Sequence, residues 1–178
     1  MNPELRRILL ILVETGCNAV EILRMPVERM MVDAKIPHII VDNLEGDSER
    51  EHGTLKANAR IRAVPLVGVA LNAAKALKAD EGVKRYWDGS DNFSAAANKF
   101  LRDSGLQQEK RSTYGLRHAI VKAPTNDPNV SDDLRRAIMG CKGKGSHEEN
   151  YAEFSLERKL HAMQKIALPF DPNSLNKL

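Results

Sequence analysis

Three side chains of this 178-residue chain, Tyr151, Arg117 and Lys56, could together do chemistry at a phosphodiester. A tyrosine phenol has a pKa of about 10 and is a poor nucleophile at pH 7. It can attack phosphorus when a guanidinium holds the non-bridging oxygens and stabilises the charge of the transition state. A lysine ammonium can then give the departing 5′ oxygen its proton. The product is a covalent phosphotyrosine, which conserves the energy of the broken bond for rejoining. The ordinary reading stands beside this one: Tyr and Arg on helices are mostly structural, and a Lys beside a strand mostly guards an edge.

The charge around Tyr151 and Arg117 favours phosphate. From Lys110 to Lys144 there are eight Lys and Arg against three Asp, a net +5, whereas the whole chain carries only +3. Lys110, Arg111, Lys142 and Lys144 are the candidate nucleic-acid contacts.

Composition narrows the class. Hydrophobic content of 42% and charged content of 29% fit a globular domain large enough to bury a core. No run of about 18 apolar residues exists, so no membrane span is expected. The apolar run after Arg6 and Arg7 is flanked by Glu4 and Glu14 and lacks a small-residue cleavage site, unlike a signal peptide. Two cysteines, Cys17 and Cys141, make no disulfide framework and fit a reducing, cytoplasmic setting. Cys141 and His147 lack the further ligands a metal site needs, so neither a metal nor a cofactor is expected.

The elements that must position these residues follow from periodicity. Leu5, Ile8, Leu9, Leu12 and Val13 trace one helix face, stopped by Gly16. A short helix runs from Ala19 to about Met25 before Pro26, with Asn18 as N-cap and Glu21 placed for a capping box. Met30–Val32, His38–Val41 and Arg60–Val64 read as strands, the last two separated by an acidic loop. Helical spacing returns at Leu66–Leu77 and at Phe93–Leu101, closing at Gly105. Ser112 can cap a helix to Lys122 that carries Tyr114, Arg117 and Val121 on one face, and Ser131 a helix to Met139 that ends at Gly140. Ser146 with Glu149 predicts a last helix reaching to about Pro169, with Tyr151 in its second turn and His147 one turn earlier on the same face. The class is mainly α with a small antiparallel β-sheet (α+β).

Four segments then occur in a telling order: TGCNAVEIL at 15–23, LKANARIRAVPL at 55–66, YGLRHAI at 114–120 and IMGCKGKGSHEENYAEF at 138–154. In order and rough spacing they resemble the C-terminal catalytic domain of the tyrosine recombinase (phage integrase) family. The resemblance implies that family's fold, and a domain that binds duplex DNA and cleaves and rejoins it through a 3′-phosphotyrosine. It implies Tyr151 as nucleophile, Arg117 as the second catalytic arginine, and Lys56, nine residues before Pro65, as the mobile catalytic lysine. His118 and His147 would lend support, as would Glu21. Three expected positions depart: Asn18 stands for the first arginine, Tyr114 for a His or Lys, and Cys141 for a histidine.

Those departures bear on rate. Asn18 offers a neutral donor where a bidentate cation is expected, and loss of one such donor costs about 10²–10³ in rate. Two functions stay open: a recombination or integration domain, and a catalytically impaired relic or accessory DNA-binding protein of the same fold. The resemblance places the catalytic-like domain at 1–167, without the family's N-terminal DNA-clamping domain and first helix, so the chain reads as a fragment or a truncated product. The tail at 168–178 corresponds to a segment that docks on a neighbouring protomer, with Phe170 and Leu175 as anchors. Duplex DNA and a homo-oligomer on DNA are the implied partners.

Overall fold

In the first helix the apolar residues outgrow a single stripe, and the burial follows. The computed structural model describes residues 2–42, 61–105, 114–123, 127–140, 154–166 and 171. Helix α1 (Pro3–Thr15) starts at Asn2, whose Oδ1 accepts from the backbone N–H of Glu4 at 2.9 Å and of Leu5 at 3.2 Å. It ends at Gly16, and Leu5, Ile8 to Val13 and Thr15 are all buried. A helix apolar on every side belongs in a core. Helix α2 (Ala19–Leu23) follows at once, two residues shorter than its expected end, with Pro26 beyond it.

The three strands form one antiparallel sheet, β1 (Met30–Met31), β2 (His38–Val41) and β3 (Arg62–Pro65), in the order β1-β2-β3. Register pairs Met30 with Ile39, Ile39 with Val64, and Val41 with Arg62. Residues opposite one another share a face, so Met30, Ile39, Val41, Val64 and Arg62 all point inward, and all are buried. The third strand lies slightly later than its expected span of Arg60–Val64 and takes in Pro65, which the free side of an edge strand tolerates.

Helix α3 (Gly68–Ala79) lies along α1, and α4 (Ser90–Asp103) packs Phe93 and Ala97 into the same core. Helix α5 (Tyr114–Lys122) also packs on α1. Helix α6 (Asp132–Met139) is capped by Ser131, whose Oγ accepts from Leu134 N–H at 3.2 Å, and ends at Gly140. Helix α7 (Leu156–Lys165) sits against β3 and α6.

One expectation needs correction. No continuous helix runs from Ser146 to the vicinity of Pro169. Phe154 and Ser155 are non-helical, and Ser155 caps a new helix by accepting from Arg158 N–H at 3.3 Å. Helix α7 therefore starts at Leu156, and Tyr151, with Ser146, His147 and Glu149, lies outside the described residues.

Candidate functional site

The site is built where three parts of the fold meet: the α1–α2 turn, the face of α5 and the C-terminus of α6. Gly16 closes α1 in the left-handed conformation (φ 63°) and leaves its own carbonyl to be satisfied elsewhere. Arg117 of α5 donates to it through Nη1 at 2.9 Å, and its Nη2 donates to the carbonyl of Met139. Met139 is the last residue of α6, where carbonyls lack intrahelical partners and the helix dipole is negative. A guanidinium is well matched to that position. Two of the five N–H donors of Arg117 thus hold it between elements far apart in sequence.

Beneath it lies a second arginine that sequence reasoning missed. The period of β3 puts Arg62 on the core side with Val64, where an unpaired cation would be costly. The carboxylate of Glu21 answers it as a fork: Nη1 donates to Oε1 at 3.0 Å and Nη2 to Oε2 at 2.9 Å. The third edge of the guanidinium donates from Nε to the carbonyl of Ile138 at 2.7 Å. Glu21 Oε2 also accepts the backbone N–H of Asn18 at 2.7 Å, so the carboxylate that starts α2 also neutralises β3. The signal that could have exposed Arg62 was strand alternation, since Arg62 and Val64 are two apart and must share a face.

Cys17 lies in the same layer, wholly buried, with its Sγ 3.9 Å from Arg62 Nη2. Burial pushes its thiol above the usual range, an effect that Arg62 only partly opposes. Held as a thiol, Cys17 is a packing residue and no nucleophile.

Above this layer a cavity of about 370 Å³ opens between α1, α2, α4 and α5. Asn18 and Arg117 line it together with Ser90, Ser94 and Asn98 of α4, over a floor that includes Leu12 and Leu116. One arginine, two asparagines and two serines therefore line one space. That set can donate hydrogen bonds to an anion and contains no carboxylate to repel it.

Of the residues singled out in the sequence, the fold brings Asn18, Glu21 and Arg117 together. Asn18 is exposed at the start of α2, Tyr114 is the first residue of α5, and His118 is exposed beside Arg117. Lys56, Lys110, Arg111, Cys141, Lys142, Lys144, His147 and Tyr151 lie outside the described residues, as do Phe170 and Leu175 of the tail. Among the described residues, no three His, Cys, Asp or Glu side chains group as a metal site would require, and no helix is long and apolar enough to cross a membrane. No family model matches the chain, and neither a curated protein nor a solved structure matches it.

Proposed function

We propose that this chain is a duplex-DNA-binding domain of the tyrosine recombinase type, whose phosphate site is the cavity shared by Arg117 and Asn18. The observation that carries the reading is that these two residues, 99 positions apart, line one cavity with no carboxylate among its described lining residues. They are the positions at which the motif order expects the two phosphate-holding arginines. The helices with one small antiparallel sheet agree with that family's catalytic domain, and the basic Lys110–Lys144 segment agrees with a polyanionic partner.

In this reading Arg117 neutralises a non-bridging phosphate oxygen and Asn18 supplies a neutral donor beside it. Tyr151 attacks phosphorus, Lys56 protonates the 5′ oxygen, and Tyr114 and Cys141 fill positions that ordinarily hold stronger groups. Cleavage is slow because one guanidinium is missing, by about 10²–10³ for a single donor of this kind. Cytoplasmic DNA and self-association through the 168–178 tail belong to the same proposal.

The test is a suicide duplex that traps the covalent adduct. Asn18→Arg places a second guanidinium at the cavity and raises adduct yield at least about 10²-fold over wild type. Tyr151→Phe in that background abolishes it. No adduct from Asn18→Arg on any duplex, with the protein folded, rules out the recombinase chemistry. The accessory DNA-binding reading would then remain, and the neutral residue at position 18 favours it.

A further inference from the structure

We infer that Arg62 is a positioning residue for Arg117: it pins the C-terminus of α6 so that the Met139 carbonyl holds the Arg117 guanidinium at the cavity. The inference rests on the reading of Arg117 as a phosphate ligand. Its ground is that two arginines from different elements take consecutive carbonyls of one helix end, Arg62 Nε that of Ile138 at 2.7 Å and Arg117 Nη2 that of Met139.

Arg62 is only 6% exposed and cannot itself reach DNA. Its plane is fixed by the fork on Glu21, and Glu21 in turn holds the backbone of Asn18 at 2.7 Å. The same guanidinium therefore sets both walls of the cavity, Asn18 through Glu21 and Arg117 through α6. Gly140 packs directly on it: a Cβ there would lie 2.6 Å from Arg62 Nη1. A lysine at position 62 would keep the charge, but a point-like ammonium cannot make three in-plane contacts. Geometry is what Arg62 supplies.

The experiment reads the salt dependence of binding to a mixed-sequence duplex of about 30 base pairs between about 50 and 200 mM salt, where each phosphate contact contributes about 0.9 to the log–log slope. Arg117→Gln lowers the slope by about 0.9. Arg62→Lys, although buried, lowers it by the same amount, and Arg62→Lys with Arg117→Gln lowers it no further. A merely structural Arg62 would lower melting temperature and leave the slope alone. If Arg62→Lys does not fold, Glu21→Met with Arg62→Met replaces the pair by apolar groups of similar volume and takes its place, folding being checked by circular dichroism. An unchanged slope in the Arg62 variant, or a drop of about 1.8 in the combined one, overturns the inference while the DNA-binding reading stands. A wild-type slope indifferent to Arg117→Gln overturns the reading of Arg117, and the inference with it.

Discussion

At the scale of single residues, burial decides which charges matter. The Arg62 and Glu21 side chains are 3% and 13% exposed, and removing one partner of such a pair costs about 3–5 kcal/mol because the other is left buried and unpaired. The Lys99–Asp103 pair, at 71% and 60% exposure, is screened by water and contributes little. Gly140 meets the buried pair from the other side. Its φ of 63° costs an L-residue about 1–2 kcal/mol, and an added Cβ would collide with Arg62 Nη1 and lie 2.9 Å from its Cζ. Gly105 has a similar φ of 67° with nothing among the described residues within 4 Å of such a Cβ. In urea denaturation, Gly105→Ala should therefore lose about 1–2 kcal/mol and Gly140→Ala clearly more. Equal losses would mean that the Arg62 contact carries no strain.

At the scale of elements, α1 organises its neighbours from both ends. Its Glu4 carboxylate accepts backbone N–H groups of Lys84, Arg85 and Tyr86, at 3.2, 3.3 and 3.1 Å, and so holds the α3–α4 connection. Its Glu14 reaches the N-terminus of α3, where the Ala70 N–H donates to Oε2 at 2.8 Å. Burial pushes the Glu14 carboxyl above its ordinary value of 4.5, and the backbone N–H bonds of Ala70 and Val69 only partly hold it down. The folded state thus binds the Glu14 proton more tightly than the unfolded state does. The stability this contributes is complete below about pH 4.5 and is lost as pH rises through the raised value. Stability measured by urea titration across that window should fall more steeply with pH in wild type than in Glu14→Gln, which keeps an acceptor oxygen without the charge. Parallel curves would contradict the assignment.

Local signals made α1 and α6 readable in advance, because Gly16 and Gly140 end them and Ser131 caps the second. They were less use at the last helix, where Ser155 caps α7 against β3 and α6 without having been singled out in the sequence. The site divides in the same way. Asn18, Glu21 and Arg117 could be picked out by motif order, while Arg62 could not. It sits in a segment dense in basic residues, where strand alternation with Val64 is the sign that it faces inward, and the register with Val41 agrees.

At the scale of the whole molecule, one core built around α1 supports the cavity. Ile8, Ile11, Ile22, Leu23, Ile39, Phe93 and Ile138 are nearly sealed from water and come from α1, α2, β2, α4 and α6. Deletion of such side chains costs about 2–5 kcal/mol each, so the α1–α2 turn and the end of α6 cannot move far apart while the fold persists. The cavity is thereby held ready before any ligand arrives, and its placement of Arg117 depends on the core as much as on the residues around it. The central claim, that Arg117 meets a DNA phosphate at this cavity, is tested most directly by equilibrium binding of one duplex to wild type and Arg117→Gln across a salt series. The account predicts saturable wild-type binding that weakens steeply with salt, and a slope smaller by about 0.9 in the variant. Binding that is absent at low salt, or a slope identical in the two proteins, would contradict it.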